Sequence, residues 1–485
     1  MPVRSKPAPK ARAPRRKVVV AAGRTRADAP LSVVILAAGR GTRMQSDLPK
    51  VMQPLAGAPL LSYVLDLAAA LEPASTHIVY GHGAELMREH FASAAVHWAL
   101  QAEQLGTGHA LMQAMPSIPP HHRVLVLYGD VPLLRVDSLR ELVAVAGGRN
   151  LALLTARPED TSGYGRILRA ARGALLGIVE ERDATARERS IGEVNSGVLM
   201  APAGPLNQWL KQLKPRNAQR EYYLTDVVAL ALREGMRVGT VQVRDPTEIQ
   251  GINDRLQLAQ AEAEYRRRRS DALMRAGVTL IDPLRVDIRG EVTAGRDVVL
   301  DVNVVLRGPV HLGDRVRIGP NCVLSDTTVG ADTVLYPNCV AQNARIGSNC
   351  EIGPFARLRP QARLADGVHL GNFVEIKNSH IGERSKVNHL SYVGDTDVGA
   401  RVNIGAGSIT CNYDGANKWR TEIGDGAFVG SGCMLVAPVK IGDGATIGAG
   451  STITTEVPAG KLTLARSRQV TIENWRRPVK TEHKK

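Results

Sequence analysis

Residues 346–376 read IGSNCEIGPFARLRPQARLADGVHLGNFVEI, and an aliphatic side chain returns at every sixth place: Ile346, Ile352, Leu358, Leu364, Leu370 and Ile376. The beat reaches back to Leu312, Ile318 and Leu324. It runs on through Val387, Val393 and Ile404 to Ile423, Val429, Leu435, Ile441, Ile447 and Ile453. Glycine often follows directly, as at Gly313, Gly347, Gly371 and Gly430, and a small or β-branched residue stands four places on, as at Cys350, Ala356, Val374 and Ala445. A helix repeats every 3.6 residues and a half-buried strand every two, so neither explains a hexad. Short strands with a bend at each sixth residue do. The aliphatic fills a three-sided coil, the small residue fits beside it, and glycine relaxes the corner. Each turn of such a coil is stabilised mainly by its neighbours.

The hexad stops between Thr410 and Ile423, where CNYDGANKWR (411–420) forms a polar loop thrown out of the coil. Loops on rigid scaffolds tend to carry function. Elsewhere positions that need only be inert carry chemistry: Arg359 after Leu358, Lys377 after Ile376, then His389 and Tyr392 about a turn along.

At 485 residues the chain needs two or three domains. Its net charge of +15 is uneven, since residues 1–30 carry nine basic residues against Asp28 alone. This Pro/Ala-rich stretch reads as a solvated, disordered tail. No aromatics are interleaved with its charges, so no nucleic-acid partner is expected. No run of eighteen apolar residues suggests a membrane span, and a cytoplasmic protein is expected. All five cysteines lie in the repeat without paired spacing, so neither a disulfide framework nor a zinc site is expected.

Ahead of the repeat, SVVIL (32–36) is a buried-strand run feeding the glycine-rich turn AAGRGTRM (37–44), followed by Leu48-Pro49-Lys50. A strand entering such a turn offers backbone N–H groups to a phosphate, and Arg43 and Lys50 add positive charge. The third glycine of a dinucleotide fingerprint is missing. QAEQLGTGHA (101–110) is a second glycine-rich turn leading into a helix. VLVLYGD (124–130) is an apolar strand that delivers Asp130 to its carboxyl end, where open α/β sheets bind ligands. The stretch from Asp254 to Ala276 has helical character with Gly277 at its end, and Arg266 to Arg269 read as its solvated basic face.

The 37–50 segment resembles the signature loop of sugar-nucleotide pyrophosphorylases. The hexad resembles that of left-handed parallel β-helix acyltransferases, which associate as trimers with active sites between adjacent prisms. From Leu31 to about Lys480 the chain resembles the bacterial bifunctional N-acetylglucosamine-1-phosphate uridylyltransferase / glucosamine-1-phosphate acetyltransferase. The resemblance implies a tail (1–30), a Rossmann-like α/β uridylyltransferase domain (31–254), a helical linker (255–276) and a β-helix acetyltransferase domain (277–485). It implies nucleotide and sugar-phosphate contacts at Leu36, Ala37, Ala38, Gly39, Arg43, Lys50, Tyr128, Gly129 and Asp130. The nucleobase would be read by Gln101, Gly106 and Thr107. The acceptor sugar would meet Gly165, Glu180 and Asn195, and Mg²⁺ would be held by Asp130 and Asn253. For acetyl transfer it implies His389 as general base, Arg359 and Lys377 on the sugar phosphate, and Tyr392 and Asn403 completing the sugar pocket. Ala406, Asn412, Tyr413, Ser431, Ala449 and Arg466 would bind acetyl-CoA. Val387 and Asn388 stand where the family often has a small Ala-Gly pair. Glucosamine 1-phosphate would be acetylated first, and N-acetylglucosamine 1-phosphate would then attack the α-phosphorus of UTP and release pyrophosphate. Two other readings stay open: a pyrophosphorylase with a regulatory β-helix, as in the ADP-glucose enzymes, and a non-catalytic scaffold subunit.

Overall fold

The computed structural model describes residues 29–39, 41–81 and 84–479. The basic tail lies outside the described residues up to residue 28. The chain divides into two compact units, one of residues 1–52 and 60–251, the other of residues 53–59 and 252–485.

The first unit is built on a nine-stranded sheet. In chain order its strands are β1 (Leu31–Ala37), β2 (Ser75–Tyr80), β3 (His97–Leu100), β4 (Arg123–Tyr128), β5 (Leu151–Ala156), β6 (Arg166–Arg169), β7 (Leu175–Val179), β8 (Val194–Pro202) and β9 (Val238–Gln242). The order across the sheet is β9-β5-β8-β4-β1-β2-β3, with β6 and β7 a side hairpin on β8. All neighbours in the main order run parallel except β8, which lies antiparallel between β4 and β5. Strands covered on both faces should be apolar throughout, and β1, β4 and β5 are buried almost end to end. The helices Leu60–Ala69 and Val136–Ala146 pack on one side, and Thr107–Ala114, Ala203–Leu210 and Asp226–Arg233 on the other. This Rossmann-like arrangement gathers the carboxyl ends of β1 and β4 at one edge.

The second unit is a parallel β-helix. Its short strands fall into three sheets of 11, 10 and 9, each made of every third strand. His369–Asn372, Lys386–His389 and Asn403–Ile404 are successive rungs of the first face. Glu375–Lys377, Tyr392–Gly394 and Ile409–Cys411 belong to the second, and His380–Ile381, Thr396–Val398 and Thr421–Ile423 to the third. The hexad aliphatics and the small residues four places on form one continuous core, including Cys322, Cys339, Cys350 and Cys433, all free thiols.

One expectation is corrected. Except at Gly353, the glycine that follows a hexad aliphatic does not turn the corner: Gly313, Gly347 and Gly430 are not left-handed, and the left-handed residue comes two places later, at Arg315, Asn349 and Gly432. These glycines are required instead by stacking. A Cβ on Gly430 would stand 2.5 Å from the backbone nitrogen of Ala449 in the next coil, and one on Gly313 2.6 Å from that of Ala331.

The helix Arg255–Arg275 starts on Asp254, whose carboxylate accepts from the Gln257 N–H at 2.8 Å, and ends before left-handed Gly277. Its basic run is a second correction, because only Arg267 of the four is exposed. Arg268 pairs with Glu264 at 2.6 Å, and Arg269 donates to the Gly290 carbonyl at 2.5 Å, fastening the helix to the first coils.

Candidate active sites

The first site lies where β1 and β4 end. Leu36, Ala37, Ala38, Gly39, Lys50, Gln101, Gly106, Thr107, Tyr128 and Asp130 line one pocket of about 270 Å³, together with Val51, Gln104 and Glu221. Gly41 is left-handed, and a Cβ there would stand 2.7 Å from that of Lys50, so only glycine lets the turn fold back over the lysine. Lys50 forms an ion pair with Asp130 inside the pocket. The Gln101 side chain donates to the Gly106 carbonyl at 3.2 Å, which fixes the second glycine-rich turn. Thr107 Oγ1 accepts from the Leu224 N–H at 3.2 Å, so this turn is also tied to the segment before the last helix. Burial pushes the Tyr128 phenol up, helped by the charges of Glu180 and Asp130, so it remains a neutral wall of the pocket.

Beside this pocket the expected acceptor residues flank the hairpin β6-β7, at Gly165 and Glu180, and begin β8, at Asn195. The Asn195 N–H donates to the Gly165 carbonyl at 2.8 Å, and Gly165 lies so close to Glu180 that a Cβ would stand 3.2 Å from its carboxylate. Burial raises the Glu180 carboxyl above its ordinary range, with Asp226 and Asp183 adding to it, while a hydrogen bond from Thr225 at 2.8 Å opposes the shift. Asn195 is buried and its side-chain oxygen has no partner among the described residues. A buried acceptor in that state costs free energy until a donor such as a sugar hydroxyl reaches it. Beneath it, Arg169 grips buried Glu193 through two bonds of 2.6 and 2.8 Å. Arg43 lines a neighbouring hollow with Gly163, Glu180 and Glu181. Asn253 belongs to the second unit, where its N–H donates to Gln257 Oε1 at 2.7 Å just ahead of the long helix.

The second site is spread across the second face of the coil and the two edges that bound it. On one edge, His389 ends a first-face strand in register with Asn372, and its Nδ1 lies 2.7 Å from Asn372 Oδ1. With Nδ1–H donating to that amide oxygen, Nε2 is left with its lone pair facing solvent. Above His389 the corner is small: Gly407 donates to the His389 carbonyl, Gly432 to that of Ala406, and Gly450 to that of Ser431. Ala406, Ser431 and Ala449 thus rise as a gutter from the imidazole, and Arg466 closes its top by donating to the Ala449 carbonyl at 2.8 Å. Below His389 the same corner holds Phe355, Phe373 and Leu390, all left-handed and about half exposed or more, with the two rings stacked 5.2 Å apart.

The opposite edge collects charge. Arg359 pairs with Glu375 at 2.9 Å, and Lys377 lies 3.8 Å from Asp395. Tyr392 stands on the face between the edges, in register with Glu375. The 411–420 loop closes on itself through a Tyr413–Lys418 bridge and an Asp414–Trp419 hydrogen bond of 2.7 Å. It returns Lys418 to the neighbourhood of Lys377 and buries Asn412 against Asp395. Asn403 faces outward from the first face, in register with Lys386 and Phe428, apart from the charged edge. Asn372, Glu375, Asp395 and Lys418 were missed as site residues. For Asp395 the available signal was a Gly-Asp pair breaking the hexad, which reads as a turn.

A domain family described as MobA-like NTP transferase matches residues 33–198, and the bacterial transferase hexapeptide repeat matches residues 343–378 and 420–455. The chain is 56% identical over 448 residues to the bifunctional protein GlmU of Alkalilimnicola ehrlichii, covering 92% of this chain and 96% of that one. It is 55% identical over 450 residues to the bifunctional protein GlmU of Aromatoleum aromaticum, covering 93% and 99%. With that of Pseudomonas putida it shares 52% over 452 residues, covering 93% and 99%.

Proposed function

Since the chain belongs to the family of the bifunctional protein GlmU, we propose that its two units perform consecutive steps of UDP-N-acetylglucosamine synthesis. The β-helix acetylates glucosamine 1-phosphate from acetyl-CoA, and the α/β unit transfers uridylyl from UTP to the product. The observation that carries this reading is the presence of both machineries in one chain: a strand-end pocket holding Lys50 and Asp130, and a solenoid edge with His389 at the foot of a small-residue gutter.

In acetyl transfer the Arg359 and Lys377 edge takes the sugar phosphate, and Tyr392 bridges the face toward His389. Phosphate binding at a distance orients the amine. Asn372 holds the imidazole so that Nε2 accepts the proton as the amine attacks the thioester carbon and the thiolate departs. The gutter of Ala406, Ser431 and Ala449, with Asn412, Tyr413 and Arg466, receives the extended acyl carrier. The exposed ladder of Phe355, Phe373 and Leu390 beside His389 supports a homotrimer in which a neighbouring copy covers that corner.

In uridylyl transfer two anions must meet, so charge neutralisation and in-line positioning supply most of the acceleration. Lys50 and Arg43 offset phosphate charge, the 101–107 turn faces the base, and Asn195 and Glu180 bind the acceptor sugar. The nucleophile is already ionised, so no base is needed. The Asp130 carboxylate, at a strand end and paired with the Lys50 ammonium, suits a hard divalent cation. The family resemblance assigns Mg²⁺ to Asp130 and Asn253, and the ion would supply charge neutralisation for the nucleotide phosphates. No described helix is long and apolar enough to cross a membrane, in keeping with a cytoplasmic enzyme.

The test is to supply the purified chain with glucosamine 1-phosphate and acetyl-CoA, then with N-acetylglucosamine 1-phosphate, UTP and Mg²⁺. Thiol release in the first mixture and pyrophosphate release in the second are expected. Absence of either would reduce the chain to a pyrophosphorylase or an acetyltransferase alone.

A further inference from the structure

Resting on the acetyl-transfer reading above, we propose that Asp395 is a positioning residue of that site. Its buried carboxylate keeps the Lys377 ammonium charged and aimed at the sugar phosphate, and pins the 411–420 loop through Asn412. Asp395 sits at the left-handed corner after Gly394 and is only 5% exposed. One carboxylate oxygen accepts from Asn378 Nδ2 at 2.5 Å. The other accepts from Asn412 Nδ2 and faces Lys377 Nζ at 3.8 Å. A carboxylate this buried is retained where its donors are fixed around it, and three side chains from two stretches of chain converge here.

The charges around Lys377 explain why the carboxylate is needed. Lys418 approaches it from the loop and Arg359 from the coil below, while Glu375 is engaged by Arg359 at 2.9 Å. The phenol of Tyr392 faces the same group of charges. Among the described residues Asp395 is therefore the negative charge left to Lys377. Burial pulls the Lys377 ammonium below the usual lysine range and the cations Lys418 and Arg359 pull the same way, with Asp395 opposing them. Burial alone would raise the Asp395 carboxyl, but the bonds from Asn378 and Asn412 and the charges of Lys377 and Lys418 outweigh it and hold it below its ordinary value. Without this carboxylate Lys377 would lose its proton at a lower pH, and a neutral amine is a poor partner for a phosphate. The Asn412 anchor would loosen at the same time.

The experiment compares the full-length chain with Asp395→Asn and Asp395→Glu, measuring kcat and KM for glucosamine 1-phosphate and acetyl-CoA between pH 6 and 10. Pyrophosphate release serves as the folding control. For Asp395→Asn the KM for glucosamine 1-phosphate should rise about tenfold, and the alkaline limb of kcat/KM should move down by about one pH unit. Asp395→Glu should restore most of that limb, because the charge returns. If Asp395→Asn does not fold, Lys377→Arg reads the same dependence, since a guanidinium does not deprotonate in this range and the alkaline limb should disappear. An alkaline limb that stays in place in folded Asp395→Asn, or a fall in kcat with KM unchanged there, overturns the assignment. A wild-type chain that released no thiol from acetyl-CoA would overturn the functional reading first, and this inference with it.

Discussion

Two asparagines show how far single residues could be read in advance. Asn195 was expected at the acceptor sugar because EVNSG (193–197) matches the family resemblance, and the structure adds that its buried side-chain oxygen lacks a donor among the described residues. Asn195→Ala should therefore raise the KM for N-acetylglucosamine 1-phosphate by about tenfold, the value of roughly one hydrogen bond in a dry site. Thiol release from acetyl-CoA in the same preparation should not change. Equal loss of both activities would mean that the residue serves folding. Asn372 had no such signal. Its role depends on lying one coil below His389, and nothing in the local sequence tells which outward residue of a coil meets which in the next.

Among the elements, the hexad was legible because a rigid period leaves each aliphatic only one place to go. The corners were not, since Arg, Asn, Phe and Gly all occupy the left-handed position and share no pattern. Glycine was credited with the turn while it serves the stacking. Gly430→Ala tests that distinction: the added methyl meets the next coil at 2.5 Å and should destabilise the β-helix by about 2 kcal/mol. A change at Gly432, where the Cβ finds open space, should cost only the left-handed backbone strain, about 1 kcal/mol. Denaturant midpoints of the two variants decide between them, and a milder effect at Gly430 than at Gly432 would contradict the stacking argument.

The α/β sheet carries a different liability at the opposite end from its pocket. His77 on β2 is buried, stacks on His97 at 4.9 Å and reaches Ser75, which bonds Ser32 and through it His122. Burial, then the charges of His97 and His122, lower the His77 imidazole to about 4. The unfolded chain binds a proton near pH 6.5 and the folded one does not, so stability is complete above pH 6.5 and falls as pH drops toward 4. The loss reaches up to about 3 kcal/mol. His77→Gln should flatten that slope in denaturation between pH 7.5 and 5. A slope unchanged by the substitution would place the acid sensitivity elsewhere.

For the whole molecule, the proposed trimer is the claim to test. The Phe355, Phe373 and Leu390 ladder adjoins the His389 edge, and exposed aromatic corners held left-handed are costly unless covered. Replacing all three by Asn, which tolerates that backbone, should convert a trimer to a monomer in sedimentation. It should remove acetyl transfer at least a hundredfold and leave pyrophosphate release within about twofold. A monomer that still acetylated at full rate would show that the site is complete in one chain.

The account stands on two chemistries that share a chain and no residues. Its most direct test assays purified His389→Ala and Asp130→Ala for both thiol release and pyrophosphate release. The account predicts that the first variant loses only thiol release and the second only pyrophosphate release. Loss of both activities in either folded variant would contradict it.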